Sequence, residues 1–291
     1  MRALLDSPAV RQPAPPTWPS LPAVPAVLGA AAVLTQVAYP LLDGTALRAA
    51  TVLAVSLFAA ASVGHAAAVY GARAAIAMFA AAAGTGLLAE AIGVASGFPF
   101  GRYSYAGTLG PQVLGVPLLV PLAWTMMAYP ALLLGRRLAG AARRSALAGP
   151  AVAVLGGATL AAWDLFLDPQ MVGAGHWTWA HPRPALPGVP DVPLTNVAGW
   201  LLVGAVMTAV LDQVLPAAPR VEPAALAEAL PAALLAWTWL GSVVANLAFF
   251  GRPWVALYGG LALGALVVPY LRSLTLAARA PRVASARQVP A

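Results

Sequence analysis

The residues best suited to chemistry in this sequence are three acids that fall inside apolar stretches. The chain has nine acidic residues, and Glu90, Asp164 and Asp168 interrupt runs long enough to cross a bilayer. An ionisable residue within a membrane span is costly and is by default a functional residue. A carboxylic acid in apolar surroundings keeps its proton to higher pH, which suits it to act as a general acid.

These acids are predicted to lie at one depth. A helix rises about 1.5 Å per residue. Glu90 therefore lies about 24 Å across the membrane from a predicted helix start at residue 74, and Asp164 lies about 25 Å from a predicted start at residue 147. Asp168 follows Asp164 by one turn, so the two carboxyl groups share a helix face. Asn196, at the predicted start of a later helix, falls near the same plane. The sequence therefore predicts a polar layer just inside one interface.

Aromatic side chains are the other residues near this layer that could take part in chemistry. They are Phe100, Tyr103, Tyr105, Trp124, Trp163, Trp177 and Trp179. Aromatic faces stabilise a nearby cation, so an acid beside them could protonate an apolar alkene to a carbocation that water then captures. The alternatives are an ordinary interfacial belt of aromatic residues, acids that only make structural hydrogen bonds, and an Asp168-Pro169 pair that ends its helix.

The composition indicates which elements must position these residues. The 291 residues are 61% hydrophobic and 9% charged, with a mean hydropathy of +0.81, whereas soluble domains are about 25% charged. This excludes a water-soluble globule and leaves a polytopic membrane protein. The chain has no Cys, which excludes thiol chemistry and Cys-bound metals. All 16 basic residues are Arg, which excludes a lysine Schiff base.

The apolar segments predict an all-α membrane bundle of about eight transmembrane helices, with seven as the alternative. The predicted spans are residues 21–42, 46–70, 74–95, 114–134, 147–167, 194–215, 225–250 and 254–276. We expect residues 1–20 to form a disordered N-terminal tail, residues 21–276 a single transmembrane helical domain, and residues 277–291 a polar C-terminal tail.

The arginines predict the orientation of the bundle. With both termini in the cytoplasm, twelve arginines fall on cytoplasmic segments and only Arg48, Arg102, Arg183 and Arg252 fall outside, which is the positive-inside pattern. The net charge of +7 then needs no nucleic-acid partner. The two long connections, 96–113 and 168–193, lie on the outer face, and loops of that length are usually functional when they are not disordered.

Two groups of motifs resemble the signatures of the carotenoid 1′,2′-hydratase family. The first group is EAIGV at 90–94, GFPFGRYSY at 97–105, GVPL at 115–118 and AW at 123–124. The second group is WDLFLDP at 163–169, GHWTW at 175–179 and NVAGW at 196–200. The likeness covers about residues 90–200. The sequence differs from the family at residues 186–194, LPGVPDVPL, where extra prolines and an acid replace the residues that the family usually has.

The resemblance implies an integral membrane enzyme of carotenoid biosynthesis. Its activity would add water to the terminal 1,2 (1′,2′) double bond of an acyclic ψ-end group and leave a tertiary alcohol. The implied substrates are γ-carotene, lycopene or a C50 bisanhydrobacterioruberin-type carotenoid. No cofactor and no metal are expected. Carotenoid, water and membrane lipid are the expected partners, with other carotenoid-modifying enzymes as candidates, and the expected location is the cell membrane.

The hypothesis assigns roles to the acids without separating donor from base. Glu90 or Asp164 donates the proton, and Asp168 or the remaining acid orients and deprotonates the water with help from Asn196. Arg102 is expected to pair with one of the acids. The expected substrate-binding rings are Tyr103, Tyr105, Trp124, Trp163, Trp177 and Trp179.

Several other functions compete with a hydratase. A carotenoid cyclase or isomerase would share the acid and the cation but exclude water. A carotenoid or lipid carrier, or a scaffold for carotenoid-modifying enzymes, would do no chemistry. A transporter is disfavoured because the sequence has no convincing inverted repeat and the acids lie near one interface.

Overall fold

The computed structural model describes residues 23–142, 148–217 and 227–279, which form a bundle of α-helices. The eight helices of these residues are α1 (Ala23–Ala38), α2 (Gly44–Tyr70), α3 (Ala72–Ser96), α4 (Leu119–Leu138), α5 (Ala148–Gly173), α6 (Leu194–Val214), α7 (Ala229–Ala248) and α8 (Pro253–Arg279). Seven of them are long and apolar enough to cross a membrane. The predicted all-α polytopic bundle is confirmed.

The predicted tails fall largely beyond the residues that the structure describes. The N-terminal tail, residues 1–20, lies outside them entirely. Of the C-terminal tail, residues 277–279 are described, and they form the last turn of α8. The orientation of the bundle in the membrane stays a prediction.

Helix α4 lies at the centre of the bundle. Every residue from Trp124 to Arg136 is buried, and α2, α3, α5, α6, α7 and α8 all contact this helix. A helix enclosed by other helices does not need an apolar surface facing lipid, which is why α4 can carry Pro130 and two arginines within its 20 residues.

Helices α5 and α6 pack closely along a glycine contact. A Cβ on Gly157 would lie 2.5 Å from the backbone nitrogen of Ala205, so the two backbones touch only because residue 157 has no side chain. Small residues are the usual means of close helix approach in membranes. The contact holds the outer end of α5, with Asp164 and Asp168, against the start of α6, with Asn196.

Short strands organise the connections between α3 and α4 and between α5 and α6. They are β1 (Tyr103–Tyr105), β2 (Gln112–Val113), β3 (Val116–Pro117) and β4 (Trp177–Trp179). Strand β1 pairs with β4, and β2 with β3, both antiparallel. The prediction that the fourth span begins at residue 114 is wrong, because β3 occupies Val116–Pro117 and the helix starts at Leu119.

Helix α5 is longer than the sequence suggested. It continues through Pro169 to Gly173, so the alternative in which Asp168-Pro169 ends the helix is wrong. Proline removes one backbone donor, and membrane helices tolerate it where neighbouring groups satisfy the freed carbonyl. The extra turns keep Asp164 and Asp168 on one continuous face.

Ion pairs lie at the end of the bundle opposite the short strands. Arg136 donates to the Asp212 carboxylate at 2.6 Å and to the backbone oxygens of Asp212, Leu215 and Pro216. Arg137 pairs with Glu228 at 2.6 Å. Asp212 and Glu228 are thus each paired with an arginine, and their side chains are 21% and 16% exposed. The Arg136 guanidinium supplies donors that the last turn of α6 lacks.

We expect Arg136→Gln to destabilise the bundle by about 3 kcal/mol, because it leaves a carboxylate and several carbonyl oxygens without donors. Thermal unfolding of the detergent-solubilised protein measures the change. Arg272→Gln removes an exposed arginine of α8 and should leave the unfolding temperature unchanged. Equal unfolding temperatures for the two variants would contradict this account of α6.

Candidate active site

The pairing of β1 with β4 brings two distant aromatic motifs into register. Tyr103 lies opposite Trp179 and Tyr105 opposite Trp177. Since side chains alternate along a strand, these four rings face the bundle, whereas the residues between them, Ser104 and Thr178, are exposed.

Glu90 lies beneath these rings and accepts three hydrogen bonds. The hydroxyls of Tyr103 and Tyr105 donate to its Oε2, the second at 2.8 Å, and Trp124 Nε1 donates to its Oε1 at 3.0 Å. The side chain is only 5% exposed. Both oxygens of this buried carboxyl group therefore have hydrogen-bond donors.

The two phenols that donate to Glu90 are themselves held neutral. Burial raises the pKa of Tyr103, and the nearby Glu90 charge raises it further. The pKa of Tyr105 is raised by the same two causes. Both residues therefore remain hydrogen-bond donors throughout the physiological pH range.

Two glycines on the Glu90 face of α3 make room for its donors. A Cβ on Gly86 would lie 2.8 Å from the Trp124 ring, and a Cβ on Gly93 would lie 2.8 Å from the Tyr103 hydroxyl. These glycines stand four residues before and three residues after Glu90, which is the spacing of neighbours on one helix face.

A second polar group forms around Asn196. Its amide nitrogen donates to Asp164 Oδ2 at 2.8 Å and to Asp168 Oδ2, while Trp177 Nε1 donates to Asp168 Oδ1 at 3.0 Å. Asp164 and Asp168 thus share the one Asn196 amide, and the other oxygen of Asp164, Oδ1, is buried without a hydrogen-bond partner among the described residues. Two negative charges this close together in a buried site are unfavourable.

Glu90, Asp168 and Asn196 line one cavity, which encloses about 600 Å³ of space not filled by protein atoms. Most of its remaining wall is aromatic or aliphatic. The aromatic members are Phe100, Tyr103, Tyr105, Trp124, Trp177, Trp179 and Trp200. The cavity thus offers carboxyl groups to a molecule that is otherwise apolar.

Trp200 is the cavity residue that the sequence reasoning left out of the site. Its ring stacks on Trp124 with centroids 3.9 Å apart, and Trp163 meets it edge-on at 5.7 Å. Trp200 follows Asn196 by four residues, so the two share a helix face, and that spacing was the available signal.

The structure does not bring every predicted site residue to the cavity. Asp164 lies behind Asp168 and lines a smaller neighbouring cavity, and Trp163 lines another. Arg102 is exposed, and the ion pairs of the described residues do not include it. The expected pairing of Arg102 with an acid is therefore absent from this part of the chain.

Two further polar residues of the sequence lie apart from the acids. The Asn246 amide donates to the Ser242 backbone oxygen, and His176 hydrogen-bonds Thr108 at 2.7 Å. Burial lowers the pKa of His176, so its imidazole is neutral near pH 7. The described residues contain no group of three His, Asp or Glu side chains placed to hold a metal ion.

Comparison with known proteins gives two matches. A model of the family described as carotenoid biosynthesis protein matches residues 46–267, which include every residue of the site. Bisanhydrobacterioruberin hydratase of Haloarcula japonica is 36% identical over 125 residues, 42% of this chain and 40% of the relative. The matched part thus spans about two fifths of that relative's length. No solved structure matches the chain.

We expect Gly86→Ala to displace Trp124 from Glu90, because the added methyl group would overlap a ring that the stack on Trp200 holds in place. The cost should be about 1–3 kcal/mol of stability, measured by thermal unfolding. Gly84→Ala is the matched control, since a Cβ there meets nothing within 4 Å and alanine favours the helix. Similar unfolding temperatures for both variants would contradict the close contact.

Proposed function

We propose, on the premise that this chain belongs to the family of carotenoid biosynthesis proteins, that it is a hydratase acting on acyclic carotenoid ends. The observation that carries the proposal is the apolar, aromatic cavity with Glu90, Asp168 and Asn196 on its wall. Such a cavity can bind a hydrocarbon. The polar groups on its wall can then supply a proton and position a water molecule.

The Asp164–Asp168 pair is the proton donor in this proposal. In this proposal the two carboxyl groups share one proton, because two adjacent buried carboxylates would repel each other, and Asp168 lines the cavity. The proton adds to C2 of the terminal C1=C2 double bond, and the positive charge forms on C1, where it is tertiary. Asp164 affects the substrate only by way of Asp168. Hydrogen bonds from the Asn196 amide hold both carboxyl groups in place.

Glu90 is the base. Its carboxylate accepts donors from three residues and lies on the same cavity as Asp168. Water attacks C1, its oxygen forms the new C–O bond, and the released proton passes to Glu90. The pair regains a proton and Glu90 loses one by exchange with water, so the net reaction is alkene plus water to tertiary alcohol.

The rings stabilise the intermediate charge. Aromatic faces attract a cation within about 6 Å of the ring centre, and the stacked pair of Trp124 and Trp200 presents such faces beside Glu90. This attraction applies to the carbocation and not to the neutral alkene. It therefore lowers the barrier to protonation instead of only strengthening substrate binding.

The depth of the site suits an elongated carotenoid. A stretched C40 polyene is about as long as the ~30 Å hydrocarbon core is thick, so its end group would lie near an interface, where water is available. The substrate in this proposal is a carotenoid with an acyclic ψ-end, of the γ-carotene, lycopene or C50 type, and the reaction takes place in the cell membrane without a cofactor.

In a host that makes lycopene and γ-carotene, expression of the chain should give products heavier by one water. Glu90→Gln, Asp164→Asn and Asp168→Asn should each lower product by about 100-fold or more, the usual contribution of a general acid or base. Mass spectrometry measures the product, and immunoblotting measures the protein.

Asp43→Asn, at an exposed acid, is the control. Unchanged pigment from well-expressed protein would refute the hydratase, and full activity in the three variants would refute the site.

Deuterium incorporation should separate the donor from the base. In D2O, Glu90→Gln can still form the cation, which then loses a proton to return deuterium-labelled alkene without hydration. Asp164→Asn and Asp168→Asn should give neither label nor product, because protonation itself is lost. Mass spectrometry of the recovered carotenoid measures the label. Label in the aspartate variants and none in Glu90→Gln would reverse the assigned roles.

A further inference from the structure

A second cavity adjoins the site, and the proposed reaction does not use it. It encloses about 830 Å³ of space not filled by protein atoms, between α2, α5 and α7. On α5 its wall runs from Trp163 to Met171, and on α7 from Trp237 to Ala245. Each stretch spans eight residue steps, so the cavity extends about 12 Å along the helices.

The two cavities share part of one wall. Thr51 and Val55 of α2 and Leu167 and Met171 of α5 line both. The second cavity therefore lies directly beside the acid site.

The second cavity changes in character along its length. Near the helix ends beside the short strands its wall includes Gln36, Tyr39 and Gln170. Further into the bundle the wall is mainly apolar, but it also includes the hydroxyls of Thr238 and Ser242. The apolar members there include Ala54, Met126, Trp163, Phe166 and Trp237.

The one polar atom of the Trp237 ring is already satisfied. Its Nε1 donates to Gln36 Oε1 at 2.7 Å, and this bond holds the indole in place on the cavity wall. The Thr238 hydroxyl donates to the Leu234 backbone oxygen, so it too has a partner. The rest of the deeper wall presents aromatic rings, a thioether and methyl groups, which suit a hydrocarbon.

We infer that the deeper part of this second cavity binds the conjugated chain of the carotenoid whose end group lies at the acids. The inference rests on the proposed function. An end group in the first cavity leaves most of a C40 molecule to be placed elsewhere. The second cavity shares Val55 and Leu167 with the first and forms a slot parallel to the helices. This direction is the one that a chain spanning the bilayer would take.

Filling the slot tests the inference. Gly241 of α7 lines the second cavity and not the first, so Gly241→Phe places a ring in the slot at a distance from the acids. The matched control is Leu240→Phe on the same helix, where the side chain is 52% exposed on the outside of the bundle. Ala54→Leu fills the slot from the opposite wall.

The measurement is the ratio of kcat/KM for a C40 carotenoid to kcat/KM for a ten-carbon acyclic terpene hydrocarbon with the same dimethyl alkene end. Wild type and Leu240→Phe should favour the long substrate. Gly241→Phe and Ala54→Leu should each reduce that ratio at least tenfold, mainly through the long substrate, while the short one keeps its rate.

Each other outcome counts against the inference. An unchanged ratio in both slot variants means that the chain leaves by another route or that a lipid acyl chain occupies the slot. Equal loss of both substrates in both variants means that the slot only supports the acid site. If the wild-type protein prefers neither the long nor the short substrate, the slot contributes nothing to substrate binding. A wild type that hydrates neither substrate refutes the proposed function itself.

Discussion

The structure of the site depends on the need of three buried carboxyl groups for hydrogen-bond donors. Glu90, Asp164 and Asp168 are each at most 5% exposed, and a buried charge or polar group without partners is costly. Within the described residues, the side-chain donors come from β1, α4, β4 and α6. Elements far apart in the sequence must therefore meet at one place, and the strand pairing and the glycine contacts are the means by which they do so.

Glu90, Asp168 and Asn196 line one cavity, and their nearness was predictable because a helix has a fixed rise, so residue counts convert directly into depth. The partners of each acid were not. Tyr103 and Tyr105 reach Glu90 only because β1 pairs with β4, and three-residue strands inside long loops give a weak signal. The alternation in YSY and WTW was that signal, since every second ring shares a face.

Trp163 and Arg102 show where nearness in sequence misleads. Trp163 precedes Asp164, but adjacent helical residues do not face the same way, so its ring lies against Trp200 and the second cavity. Arg102 comes just before Tyr103, the first residue of β1. Neighbours along an extended chain point to opposite faces, and the Arg102 side chain is exposed. In both cases the periodicity of the element decides the direction of the side chain, and the motif alone does not.

The apolar bundle and the chemistry of the site have one physical cause. A carboxyl group in water is ionised near neutral pH and is a poor acid for an alkene, whereas one of two adjacent carboxyl groups shielded from water keeps its proton to higher pH. The same shielding excludes bulk water, so a carbocation formed there would meet only the water that the polar groups hold. The scarcity of charge that commits the chain to lipid therefore also creates the conditions under which three carboxyl groups could hydrate a hydrocarbon.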